Sequence, residues 1–334
     1  MFKVAIIGPG SIAGTYMEAL KDSQTVKITA VLGHREESAK AFSEKYNIPY
    51  YLSADQMYNV ENPDAVLICT PTFTHEDIVK TAIDKGVHIM CEKPFVLSSD
   101  TAQQLFDMAE EKGVRMMVMQ VVRFWPEYLR IKQLIDSGEA GEVTNIYANR
   151  LSAHPSWCSW HKDPQKSGGG LYDLHIHDVD YLYYLFGKVK SVYAVGRQTD
   201  SGCWNNVSTI INFSCGVSAV AEGFMDITGE WAFSTNIRIN STKMAIEYLN
   251  KRVYNGEVTK EKIENLVIYH KDREPEIENV PQYNPYKAEA EHFAECVTSN
   301  KVTDIVPNSD VVYVLKILSA IEKSLETGLV QNID

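Results

Sequence analysis

An α/β fold is predicted, with an N-terminal doubly wound parallel sheet followed by a C-terminal α/β domain built on an open, mostly antiparallel sheet. Three observations predict it. Short continuous apolar runs alternate with amphipathic helical stretches over the first third of the chain, and a glycine-rich turn, "GPGSIAG" at 8–14, joins the first such pair. From residue 142 onward the pattern changes to alternating strands rich in β-branched and aromatic residues.

"KVAII" at 3–7 reads as a buried strand, and after the glycine turn a helix runs to Leu20. Then come a strand "VKITAVL" (26–32), a helix "EESAKAFSEKY" (36–46), a strand "DAVLICT" (64–70), a helix from His75 to Lys85 closed by Gly86, and a strand "VHIMC". "SSDTAQQLFDMAEEKG" (98–113) carries a serine N-cap, places Ala102, Leu105, Phe106 and Ala109 on one face and ends at Gly113, before the strand "VRMMVMQ". This order implies parallel β-α-β units. A helix at 128–137 leads into the strands "EVTNIYANRL" (142–151), "VKSVYAVGRQ" (189–198), "NVSTIINF" (206–213), "VSAVAEGFM" (217–225) and "STNIRIN" (234–240), with "SCG" at 214–216 as a tight turn. The domains are therefore expected at 1–122 and 123–334.

A chain of 334 residues exceeds one comfortable core, and 45% hydrophobic with 23% charged residues fits a soluble globular protein. The net charge of −12 opposes a nucleic-acid partner, which is usually met by a basic face. Six cysteines are scattered without a C-x-x-C pair, as expected of a reduced, cytoplasmic protein. Strand-like sequence from Lys3 leaves no room for a signal peptide, and no apolar run approaches the roughly 18 residues that span a bilayer, so no membrane partner is expected.

Gly8, Gly10 and Ala13 fit G-x-G-x-x-[GA] directly after a strand and opening a helix, where Ser11 and Ile12 sit in the first turn. Missing side chains there let backbone approach a pyrophosphate held at the helix N-terminus. A plain tight turn is the alternative, but strand, helix and second strand follow at dinucleotide-binding spacing. An NAD-binding half usually carries an acid about 20 residues after its glycine turn. Here "LGHRE" supplies Gly33, which has no carboxylate, then His34 and Arg35, whose donors suit a 2′-phosphate. NADP is therefore expected in preference to NAD, with Glu36 and Glu37 in the first turn of the next helix. A strand ending one or two residues later would instead bring Glu36 to the ribose.

"CTPTFTH" at 69–75 puts Thr70, Pro71 and His75 on the carboxyl edge of the sheet, where open α/β sheets bind ligands. His75 reads equally well as a helix-start residue with no chemical task. "CEKP" puts Glu92 and Lys93 at the next strand end on that edge, which makes Lys93 a candidate through its location. In "SGGGLYDLHIHDVDYLYYLFG" (167–187) a helix is expected from about Asp173. The i,i+4 spacing then stacks Asp173 and His177, so that the carboxylate orients the imidazole. The plain alternative is a dipole-favoured acid beside a satisfied histidine. His175, His177 and Asp178, with His154 and His161, also offer zinc donors, but His175 and His177 would face different sides of a helix, and no metal is expected.

The glycine turn, "TPTFTH", "CEKP", "VRFWP" (122–126) and "GGGLYDLHIHD" (168–178) together resemble the glucose-fructose oxidoreductase, inositol dehydrogenase and rhizopine-catabolism (Gfo/Idh/MocA) family over most of the chain. The resemblance implies an N-terminal Rossmann domain and nicotinamide-dependent oxidation or reduction of sugars, polyols and similar compounds. It implies Lys93 as the catalytic lysine, with Asp173 and His177 as its partners. Lys93 would polarise the reacting oxygen, and His177 would exchange the hydroxyl proton, for which an imidazole's ordinary pKa of about 6.5 is suited. Two positions depart from the family's pattern: Ala13 in place of the third glycine, and His175 where many members have a small residue. Glu92 and Arg123 are expected against the cofactor. Arg123, Trp157, Trp160, His161 and Tyr283 are expected to line a polar pocket with aromatic walls, although tryptophans in a loop equally read as packing. A homodimer or homotetramer through the C-terminal sheet is expected. The competing class is a catalytically inactive dinucleotide-binding sensor or regulatory protein on the same fold. Retention of Lys93, Asp173 and His177 together favours turnover.

Overall fold

The computed structural model describes residues 1–154, 159–229, 231–253 and 261–333. In chain order its elements begin β1 (Phe2–Ile7), α1 (Ser11–Leu20), β2 (Val26–Leu32), α2 (Glu36–Tyr46), β3 (Tyr50–Tyr51), α3 (Ala54–Glu61), β4 (Ala65–Ile68), α4 (His75–Asp84), β5 (His88–Glu92), α5 (Ser99–Glu111) and β6 (Met116–Met119). They continue α6 (Pro126–Asp136), β7 (Val143–Leu151), α7 (Pro164–Ser167), α8 (Ile176–Phe186), β8 (Val189–Gln198), β9 (Trp204–Phe213), β10 (Ser218–Phe224), β11 (Ser234–Ser241), β12 (Met244–Val253), β13 (Glu261–His270), β14 (Glu276–Ile277), α9 (Pro285–Thr298), α10 (Asn308–Thr327) and β15 (Gln331–Asn332).

The chain divides into two compact units, Met1–Phe124 with Tyr283–Val312, and Trp125–Gln282 with Tyr313–Asp334. This corrects the expected single cut: residues 283–312, assigned to the second domain, pack with the first. Their helix α9 supplies the reason. It lays Phe293 edge-on against Phe2 at 6.3 Å and brings Tyr286 and Glu289 to Tyr16.

The first unit holds a six-stranded sheet in the order β3-β2-β1-β4-β5-β6, every pairing parallel. This is the doubly wound order, with its switch point between β1 and β4. Continuous apolar runs form β4 and β6 because both faces are covered: Ala65–Ile68 and Met116–Met119 are buried along their whole length. Each buried Ile, Leu or Val contributes about 1.5–3 kcal/mol relative to exposure. Ser98 caps α5, its hydroxyl accepting from the Thr101 N–H, and Gly113 ends the following turn at φ +67°.

The second unit holds a nine-stranded sheet, β14-β13-β12-β11-β7-β10-β9-β8-β15, antiparallel except for the β7–β10 pair. The "SCG" turn closes the β9–β10 hairpin, with Gly216 at φ +96°. In the core, Arg150 of β7 forks onto Asp178 of α8, with Nη2 to Oδ1 at 3.0 Å and Nε to Oδ2 at 3.2 Å, and its Nη2 also reaches the Tyr128 hydroxyl. Both partners are buried, so either one alone would leave an uncompensated interior charge. Among the described residues no helix is long and apolar enough to cross a membrane.

Candidate active site

In the first unit the expected cofactor residues fall on one sheet edge. Gly8 ends β1 at φ +101°, and a Cβ on it would lie 2.7 Å from Thr70 Cγ2 and 3.0 Å from the Cys69 carbonyl. Only glycine lets the β1–α1 turn lie this close to the end of β4. At Gly10 a Cβ would meet nothing nearer than the Cys69 oxygen at 3.9 Å, so its backbone stays open to approach. Gly10 is the N-cap of α1 and no side chain caps this helix, whereas Ser53 and Ser98 cap α3 and α5. Ser11 is exposed, Ile12 half-buried and Ala13 buried beneath the turn. A ten-residue helix with a glycine cap and no side-chain acceptor fits a pyrophosphate.

Gly33 follows β2 and is packed so that a Cβ would meet Ala39 Cβ at 2.8 Å and Pro9 Cγ at 3.3 Å. His34 and Arg35 are exposed, Arg35 as the N-cap of α2, and Glu36 and Glu37 occupy its first turn as expected. Thr70 and Pro71 follow β4 and are half-buried; the Thr70 hydroxyl accepts from Thr74 at 2.7 Å.

Three residues expected against the cofactor also make contacts within the first unit. His75 is 1% exposed, with Nε2 2.9 Å from the Thr70 carbonyl and Nδ1 2.9 Å from that of Phe95, so it ties the loops after β4 and β5 together. Burial lowers its pKa against the pull of those carbonyls. Arg123 is wholly buried, with Nη1 2.7 Å from both Asp310 Oδ2 and the Ile305 carbonyl. Glu92, 8% exposed, turns to the Tyr16 hydroxyl at 3.0 Å and accepts the Lys93 backbone N–H at 3.1 Å. Lys93 itself, one residue beyond β5, is half-buried.

In the second unit the glycine triplet shapes the approach to Asp173 and His177. Gly168 and Gly169 take φ +72° and +67°, and a Cβ on Gly170 would fall 2.8 Å from the Asn205 carbonyl oxygen and 2.9 Å from its Cα. This segment thus lies directly on β9, where Asn205 Oδ1 accepts the Gly170 N–H at 2.8 Å. The Asn205 amide donates in turn to Asp226 Oδ2 at 2.6 Å, and Asp226 Oδ1 meets His154 Nδ1 at 2.5 Å. The expected plain α-helical start is replaced by a π turn over Leu171–His175, with α8 beginning at Ile176. Asp173 therefore sits in a widened turn and His177 in the first turn of α8, and both side chains are half-buried.

His175 turns away from this edge into the core, with Nε2 3.0 Å from Thr209 Oγ1, and burial with the nearby Arg150 charge lowers its pKa to about 4. Gly223 of β10 makes the room: a Cβ there would come 2.7 Å from the His175 ring. His161 is buried with Trp160 edge-on to it at 4.0 Å, and its carbonyl accepts from Ser167 Oγ. Trp157 lies outside the described residues. Tyr283, exposed by 44%, begins the segment that packs with the first unit. Among the described residues, no three His, Cys, Asp or Glu side chains group so as to hold a metal ion.

Residues 2–120 match a family model described as an oxidoreductase family with an NAD-binding Rossmann fold, and residues 128–247 match the C-terminal domain model of the same family. The chain belongs to the Gfo/Idh/MocA family. Curated relatives of this Gfo/Idh/MocA protein include D-xylose 1-dehydrogenase (NADP(+)) 2 of Haloferax volcanii, 29% identical with 91% of each chain covered. Inositol 2-dehydrogenase of Rhizobium meliloti is 27% identical, covering 77% of this chain and 78% of its own. Among solved structures, an aldose-aldose oxidoreductase from Caulobacter crescentus complexed with glycerol superposes with a TM-score of 0.87 over 99% of both chains at 20% identity, which shows a shared fold.

Sequence reading of this family member missed Asn205, Asp226 and Glu289. The first two are single polar residues at the edges of strand-like stretches, Asn205 near the start of β9 and Asp226 just beyond β10, and carry no local signal. Glu289 had one: it stands on the face of α9 that also carries buried Phe293 and Cys296.

Proposed function

We propose that the protein is a dehydrogenase or reductase that moves a hydride between a nicotinamide cofactor and a sugar, polyol or related hydroxy or keto compound. The observation that carries this is the first unit's carboxyl edge, where an uncapped helix N-terminus follows β1 and a half-buried lysine follows β5, two positions along the same sheet. The Gly10–Ala13 turn would hold the cofactor's pyrophosphate, and the bound nicotinamide supplies or accepts the hydride. Lys93 donates a hydrogen bond to the reacting oxygen and steadies the charge that develops on it. His177 takes the hydroxyl proton in the oxidation direction, and Asp173 orients its ring. The names of the xylose and inositol dehydrogenase relatives support a substrate of this class. A panel of sugars and polyols, each assayed with both cofactors at the reduced-nicotinamide absorbance, tests it; no turnover across the panel would favour the sensor reading instead.

The cofactor is NADP in preference to NAD. Exposed His34 and Arg35 follow β2 with no carboxylate at Gly33, and the acids that come next are drawn into the first turn of α2. The NADP(+) in the xylose dehydrogenase relative's name agrees. Arg35→Ala is expected to weaken NADPH binding about tenfold and to leave NADH binding unchanged, the loss of one charge-assisted bond pair. Fluorescence titration of both reduced cofactors checks this, and tighter NADH binding by the unaltered protein would overturn it.

Self-association uses the second sheet's outer face. Val195, Ile210 and Val220, 52%, 44% and 39% exposed, lie on the adjacent strands β8, β9 and β10, with Ile210 directly paired to Val220. A dimer or tetramer is expected in multi-angle light scattering, shifting toward monomer in Ile210→Lys; a monomeric wild type would refute it.

A further inference from the structure

Three side chains inside the first unit form an arrangement that the proposed chemistry leaves unexplained. Tyr16 of α1 is fully buried, and its hydroxyl oxygen lies 2.7 Å from Glu289 Oε1 and 3.0 Å from Glu92 Oε1. Glu289 has no exposed surface, and its Oε2 is buried with no hydrogen-bond partner among the described residues. A phenol carries one hydrogen and donates it to one acceptor. With both carboxyls ionised, one carboxylate oxygen would face a tyrosine lone pair with no hydrogen between them, and two negative charges would share a dry interior. The three groups therefore require a second proton.

We propose that Glu289 is a neutral acid whose O–H donates to Tyr16, which donates to Glu92, and that this chain makes Tyr16 and Glu289 positioning residues for Lys93. The negative charge rests on Glu92 because that carboxylate keeps some solvent and accepts the Lys93 backbone N–H, whereas Glu289 has neither. Burial first, and then the Glu92 charge, push the Glu289 carboxyl well above its usual range, against the lowering effect of its contact with Tyr16. Burial and the two carboxyls also raise the Tyr16 phenol, which keeps its hydrogen. The other titratable groups facing the three include Cys69 and Cys91, whose thiols are pushed up by burial first and by Glu92, so they stay neutral, the Tyr286 phenol edge-on to Tyr16 at 5.3 Å, and the Lys93 ammonium one residue beyond Glu92. The side chain of Lys93 is thereby carried on a backbone anchored from α1 and α9 as well as from its own strand.

A carboxyl whose pKa is raised by folding contributes stability that is fully present below its unfolded value of about 4.3 and is lost as pH rises toward the folded one. The wild type should thus lose thermal stability with rising pH over a span in which Glu289→Gln, which has no proton to release, does not. An infrared difference spectrum, wild type minus Glu289→Gln at neutral pH, should show the carbonyl stretch of a protonated carboxylic acid. A carboxylate signature in its place, or parallel pH profiles of the two melting temperatures, would overturn the shared proton. The kinetic consequence rests on the proposed function. With a substrate from the panel, Tyr16→Phe and Glu289→Leu should lower kcat about tenfold, with KM and cofactor affinity held, as expected for a misplaced catalytic group. Glu289→Gln, whose amide N–H replaces the acid O–H, should restore turnover. Equal kcat in Glu289→Leu and wild type would refute the positioning role. Because the infrared and pH measurements need no substrate, failure of the proton chain is separable from failure of the proposed function.

Discussion

Lys93→Ala is expected to lower kcat/KM by about 10²- to 10³-fold, the cost of removing a preorganised donor from a developing oxyanion. Cofactor affinity should hold, because the cradle at Gly8, Gly10 and the start of α1 belongs to a different strand end from Lys93. The fold should hold as well: Lys93 is half-buried, and its backbone N–H, which donates to the Glu92 carboxylate, is retained by alanine. Binding and chemistry therefore separate, with isothermal titration of the cofactor unchanged and steady-state turnover collapsed. Full turnover in the variant would remove Lys93 from the reaction.

His177→Asn is expected to lower kcat by about 10²- to 10⁴-fold, the range for losing a general base. In the oxidation direction the imidazole accepts a proton only when neutral, so the wild-type rate falls as pH drops and the ring becomes charged. Asparagine cannot titrate, and the low-pH limb should disappear with the rate. Asp173→Asn should show the weaker form of both effects, since it orients and does not itself accept the proton. A low-pH limb that survives in His177→Asn would assign the base elsewhere. A tightly held zinc whose chelation abolishes activity would make these histidines ligands instead.

Five of the first sheet's six strands were legible, most plainly β1 and β4, which are largely buried and read as apolar runs, whereas the two-residue, half-buried β3 was not. The path of α9 was not, since what recruits it is long-range: Tyr16 and Glu289 are 273 residues apart. The candidate site divides in the same way. Residue type and position in the strand order located Gly8, Gly10, Thr70 and Lys93 on one edge. They could not say which way a side chain turns, and for Arg123 that was decided by Asp310 far along the chain. The widened turn at Leu171–His175 escaped because a regular helical period was assumed across Asp173 and His177, whereas a π turn follows directly on Gly170, which lies against β9.

The return of Tyr283–Val312 to the first unit bears on how the protein is made. Ribosomal synthesis delivers the whole parallel sheet by Met119, yet Phe2 and Tyr16 wait for Phe293 and Glu289 until most of the chain has emerged. During that interval the helix that carries the glycine turn lacks the partners that cover its inner face. The dinucleotide half therefore gains its last contacts only after most of the second unit has been synthesised, unlike an ordinary N-terminal domain. Its completion is tied to nearly full-length translation, since a chain that stops before Tyr283 lacks the segment that supplies Glu289 and Phe293.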